Sequence, residues 1–131
     1  MAEQWAISEE GVPTESRCRP VLSSDVAYLV RARIGRGRYE TWFGSSAGRA
    51  LAIVTNGVRA MVVLLDGDGD PGEHAVDPMA KGGSTGFILA GGQRDEYPDK
   101  DTVPLEEALW IVNGIVELGV PPTNSKWKID R

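Results

Sequence analysis

The sequence predicts an α+β fold: a single domain whose antiparallel β-sheet carries an N-terminal helix and a C-terminal helix packed on one face. Three observations predict it. Short apolar runs of strand length succeed one another between Tyr39 and Leu65. An amphipathic stripe of helical period, Leu105, Ala108, Leu109, Val112, Ile115 and Val116, lies near the end of the chain. A further helical pattern precedes the strands. Consecutive antiparallel strands with helices at both ends place those helices on one sheet face. At 131 residues the chain is the size of one domain and buries enough surface to fold without a disulfide or a metal.

Residues 1–20 mix Glu, Ser, Pro and Gly with no sustained period and read as an irregular segment, to which Trp5 and Ile7 are able to add a short strand. The domain proper is residues 21–131. Ser23, Ser24 and Asp25 offer N-cap oxygens to a helix, Val26, Leu29, Val30, Arg33 and Ile34 come next near helical spacing, and Gly35 suits a left-handed cap. Val26, Tyr28, Val30, Ala32 and Ile34 also alternate as a strand would; the punctuation at both ends favours the helix. Residues 39–43 are aromatic and Thr-containing, which suits a pleated surface. Residues 50–55 and 58–65 are joined by Asn56-Gly57, which tolerates the positive φ of a type I′ turn, so they form a hairpin. Residues 86–90 read as the next strand. Pro104 suits the first turn of the C-terminal helix, Glu106 and Glu107 favour its positive end, Gly119 closes it, and Pro121-Pro122 prevents its resumption. Trp127 and Ile129 alternate with Lys126, Lys128 and Asp130 as a short closing edge strand. Trp42, Phe43 and Trp110 are expected in the core; Trp127 suits core or interface.

The net charge of −5 is unevenly spread. Residues 1–64 carry eight Arg against six Asp/Glu, whereas residues 65–101 carry nine Asp/Glu against three Lys/Arg. An acidic middle third repels nucleic acid and anionic lipid and attracts basic partners. No basic n-region leads into an apolar run, and no apolar run is long enough to span a bilayer, so a cytoplasmic protein with no membrane partner is expected. Cys18 is the single cysteine, which excludes an intramolecular disulfide and a Cys-rich zinc site.

The acidic third falls into two blocks. The first, residues 66–74, is Asp-Gly-Asp-Gly-Asp-Pro-Gly-Glu-His. Asp66, Asp68 and Asp70 occupy the alternate positions of a calcium loop. Pro71 stands where that loop needs a glycine, and Asp77 where it needs a bidentate Glu. A zinc site lacks ligands, since His74 is the only histidine. Glu73 and His74 are adjacent, so on an extended segment they point to opposite faces. No serine sits in a nucleophile elbow, and a lone His without a partner is a weak general base. Neither Gly35-Arg36-Gly37-Arg38 nor Gly82-Gly83-Ser84 matches a phosphate-binding fingerprint. Arg31, Arg33, Arg36 and Arg38 have the charge to contact RNA, but the sequence presents no stacking platform beside them. No catalytic residue, metal site or cofactor is assigned. The second block, residues 91–101, reads as a solvated loop with Tyr97 as an aromatic anchor.

The order of these motifs resembles a known family. Asn56-Gly57-Val58-Arg59-Ala60-Met61 runs into the first acidic block; Gly92-Gln93-Arg94-Asp95-Glu96-Tyr97-Pro98-Asp99, Val103-Pro104-Leu105-Glu106-Glu107-Ala108 and Leu118-Gly119-Val120-Pro121-Pro122 come after it and before Trp127. Over residues 38–131 this is similar to the first numbered family of immunity proteins in bacterial polymorphic toxin systems. The resemblance implies a small α+β antitoxin without enzymatic activity whose partner is a cognate toxin domain, often a nucleic-acid deaminase. On that reading Asp66, Asp68, Asp70, Glu73, Asp95, Glu96 and Asp99 supply charge to the partner surface, and His74 and Tyr97 add contact. The two acidic blocks are then expected to form one face. The alternative is a small regulatory or calcium-binding module using residues 66–74.

Overall fold

Trp5 and Ile7 do add a strand. Strand β1, Trp5–Ser8, pairs antiparallel with β2, Glu40–Ser45, so the sheet begins inside the segment read as irregular. The computed structural model describes residues 3–8, 20–67, 69–89 and 91–131; Cys18 and Asp68 lie outside the described residues. The sheet continues through β3, Ala50–Thr55, and β4, Arg59–Leu65, to β5, Glu73–Ala75. Strand β9, Trp127–Ile129, closes the order β1-β2-β3-β4-β5-β9. The two-residue β8, Val103–Pro104, pairs with the start of β4 at Arg59 and Ala60. Helix α1 spans Val26–Gly35 and α2 spans Leu105–Leu118. The α+β architecture read from the sequence is the architecture found. Among the described residues no helix is long and apolar enough to cross a membrane.

Strand register sorts the side chains. Leu51, Ile53, Ala60, Val62 and Leu64 share one face with Phe43 and Trp5, and the stripe of α2 packs there with Val26 and Val30 of α1. All six stripe residues are buried, and Ile111 joins them. Each burial of a large aliphatic side chain contributes roughly 1.5–3 kcal/mol. Trp5 rather than Trp110 is the core tryptophan: it is 1% exposed, whereas Trp110 is 46% exposed on the outer side of α2. Trp42 is half-buried, facing away from the helices with Ala52, its register partner. Trp127 packs at the margin of the core.

Several local expectations are corrected. The first helix is entered through a 3-10 turn, Ser23–Asp25, and no side chain caps it. The left-handed glycine after it is Gly37, φ +79°, not Gly35. The hairpin β3–β4 stands, but its turn is not type I′, because only Gly57 has positive φ. Asn56 Oδ1 instead accepts the Val58 and Arg59 amides at 2.9 and 2.8 Å, an Asx turn. Pro104 flanks α2 instead of lying within it, and the Leu105 amide donates to the Val58 carbonyl at 3.0 Å. Gly119, φ +79°, closes the helix as expected.

The largest correction concerns residues 83–98. Strand β6 begins at Gly83 and runs to Ile88, and Arg94–Pro98 is strand β7, not loop. The two form a separate hairpin, with an irregularity between Ser84 and Phe87. It covers the sheet face opposite the helices: Phe87 is fully buried yet lies outside the helix-side core, and Asn56 Nδ2 bonds the Thr85 carbonyl at 2.9 Å. A 3-10 turn, Asp99–Asp101, leads back to β8.

Candidate functional site

The first acidic block is a tight turn between β4 and β5. Asp70 Oδ2 accepts the Asp66 amide at 2.8 Å, which holds the Asp70 carboxyl below its usual range, helped by Gly72 and by Arg131. Leu64 is paired with Glu73 in the ladder, so Glu73 points to the helix side of the sheet. Arg131, just beyond β9, reaches across these residues. Its guanidinium donates to Asp66 at 2.9 Å, to Asp70 at 3.0 Å and to Glu73 at 3.0 Å. Three carboxylates thus share one cation and leave an excess of negative charge. Nearby, Arg49 pairs with Glu3, bonds the Gly119 carbonyl at 2.6 Å, and also feels Asp66 and Glu73. The Gly119 carbonyl closes the negative end of α2, where a cation is favoured.

His74 points to the other face, as adjacency with Glu73 requires. Nδ1 lies 2.7 Å from Asp130 Oδ2 and Nε2 lies 3.0 Å from Asp101 Oδ1. A neutral imidazole donates from one nitrogen only, so two carboxylates favour the imidazolium. Burial opposes it, but both hydrogen bonds and both negative charges outweigh burial and raise the His74 pKa above its usual 6.5. His74 therefore ties β5 to the 3-10 turn and to the end of β9.

The second block splits up. Asp99 accepts from Ser84 Oγ at 2.5 Å and lies 3.7 Å from Arg59. Arg59, on β4, also bonds Asp77, the Asp99 carbonyl and both oxygens of Thr102, fixing the turn to the sheet. Tyr97 is not a free anchor. Its ring packs edge-on against Phe87, with centroids 4.9 Å apart and planes at 67°. Its hydroxyl donates to Asp95 at 2.9 Å. Burial, then Asp95 and more distantly Glu40, push the Tyr97 pKa up to about 12. Glu96 is exposed.

The two blocks therefore do not build one face. Asp66, Asp70 and Glu73 gather on the helix side, while Asp95 and Tyr97 belong to the hairpin over the opposite side. They touch where His74 meets Asp101. Sequence reasoning missed Arg131, Asp130, Asp101 and Arg59. Their partners lie 18 to 65 residues away in the chain, and only the β5–β9 pairing, which the edge-strand pattern did not locate, brings most of them together. Among the described residues no group of three or more His, Cys, Asp or Glu side chains is arranged to hold a metal ion. No protein-family model matches this chain, nor does a curated protein or a solved structure.

Proposed function

We propose that the protein is an immunity protein, a binder rather than an enzyme. It neutralises a cognate bacterial toxin, a nucleic-acid deaminase or another nucleic-acid-directed enzyme, by laying its acidic end over the toxin's active site. The observation that carries this reading is the convergence of Asp66, Asp70 and Glu73 on one guanidinium. Carboxylates so placed receive an arginine, and two negative charges remain for a second cation. A nucleic-acid enzyme needs a groove of Arg and Lys for the phosphate backbone, and a deaminase in addition takes a flipped base into a pocket. An acidic protein surface replaces the phosphates in such a groove, and complementary fields speed the encounter. The order of motifs in residues 38–131 supports the same reading.

Co-expression with the toxin domain encoded beside this protein tests it. Restored growth and co-purification of the two chains are the expected results. A toxin that kills undiminished and elutes alone refutes the proposal.

A further inference from the structure

A cleft of about 820 Å³ opens on the sheet face away from the helices and runs along β2 from the α1–β2 turn to Gly44 and Ala50. Its floor is β2 and the start of β3, with Glu40, Trp42, Gly44 and Ala50; one wall is the α1–β2 turn, with Arg36, Arg38 and Tyr39; Leu89 and Gly91 of the β6–β7 hairpin form the other. That volume is within the roughly 300–1,000 Å³ of small-ligand sites. The stacking platform that the sequence did not present beside the arginines is supplied here by Trp42 and Tyr39, both half-buried.

Three features define what this cleft takes. Arg36 and Arg38 are exposed residues at its rim, two residues apart. Of the carbonyls closing α1, that of Arg33 accepts the Arg36 and Arg38 amides and that of Ile34 the Gly37 amide. Arg33 itself is a rivet, donating to Thr41 Oγ1 at 2.8 Å and to the Glu40 carbonyl at 3.1 Å. The indole of Trp42 is held in orientation, since Nε1 donates to Glu40 Oε2 at 2.9 Å. Among the described residues the other Glu40 carboxylate oxygen accepts no side-chain hydrogen bond. A guanidinium rim, an oriented indole and one carboxylate acceptor match a phosphate, a planar ring and a hydroxylated sugar in turn.

We propose that this cleft binds a ribonucleotide, with the phosphate on Arg36, the base on Trp42 and the ribose hydroxyls on Glu40. The site lies on the other face of the sheet from the acidic end and does not depend on it. A free nucleotide and the end of a single strand share this chemistry, and the titration separates them.

Calorimetric titrations of the full chain with AMP, CMP, GMP, UMP, dAMP, inorganic phosphate and a four-nucleotide RNA test the proposal. Saturable binding of at least one ribonucleotide is expected, about tenfold tighter than phosphate alone, with AMP bound more tightly than dAMP. Arg36→Ala and Trp42→Ala should each weaken it about tenfold, and Trp42→Phe should retain most of it. Equal affinity for the mononucleotide and the tetramer identifies a free nucleotide; a tetramer that binds more than tenfold tighter identifies a strand. No saturable heat with any ribonucleotide or the tetramer overturns the proposal. Binding that survives both Arg36→Ala and Trp42→Ala in protein with unchanged circular dichroism also overturns it.

Discussion

At Gly72 the backbone φ is +81°, and a Cβ there would lie 2.6 Å from the Leu64 carbonyl oxygen and against Leu65 Cδ2. Both obstacles belong to β4, which the turn must pass closely to bring Asp66 and Asp70 beside Glu73. Gly69 shares a positive φ of +78° but has open space around it. The two glycines separate conformation from contact. Gly69→Ala should cost about 1 kcal/mol, the left-handed penalty alone. Gly72→Ala should cost about 2–4 kcal/mol, since overpacking adds to it. Urea denaturation of both variants checks this, and equal losses would show that the close approach has no energetic weight. His74 sets a pH dependence at the same scale. Its folded pKa is raised, so its clamp stabilises fully below the unfolded value near 6.5 and is lost as pH climbs through the raised folded value. His74→Gln should therefore be destabilised most at pH 6, by about 1.5–3 kcal/mol for charge-assisted bonds, and much less at pH 9. A difference that stays constant between those two pH values would refute the clamp.

Helix α2 is fitted to the turn that leaves it. Gly114 sits in its interior, where Ala would ordinarily gain about 1 kcal/mol. A Cβ at Gly114 would meet Pro122 Cγ at 2.7 Å, and a proline ring cannot swing aside. Gly114→Ala is thus expected to lose about 1–2 kcal/mol in spite of the better propensity. The double variant Gly114→Ala/Pro122→Ala should cost less than the two single changes added together. Additive losses in thermal melts would mean that the turn does not pack on the helix. The stop at Gly119 and Pro121-Pro122 was legible in the sequence; this contact was not, because the sequence shows where a helix ends but not where the chain returns. The same difference separates the strands. Residues 50–65 are apolar runs around an Asn-Gly pair, and their pairing is local. Arg94–Pro98 has no apolar alternation because its side chains are mostly exposed or turned toward Asp95 and Phe87, so its composition reads as loop. Strand β5 is three residues long and is specified by its neighbours in the sheet. The acidic residues were visible as charge, but their grouping was not, since Arg131, Asp130 and Arg59 act from distant strands.

Across the whole molecule the sheet separates two charged regions: the acidic turn on the helix side, and the arginine-rimmed cleft on the hairpin side. Arg131 is the cation that limits the first of these. It occupies the carboxylates that the proposed basic partner would engage, so a partner arginine must compete with it. Removing it and reversing the carboxylates should then act in opposite directions. Arg131→Ala leaves three carboxylates without their shared guanidinium, strengthens the local negative field, and should raise the association rate with the toxin several-fold at low salt. Asp66→Lys/Glu73→Lys should lower that rate about tenfold or more and flatten its dependence on ionic strength. Stopped-flow association at low and high salt measures both. Because Arg131 also anchors β9 beside the turn, the melting temperature of each variant is read alongside, and a rate change without loss of fold isolates the electrostatic effect. If the two variants move the rate in the same direction, or leave it unchanged, the partner docks elsewhere and the acidic turn serves only to fasten β9 to the sheet.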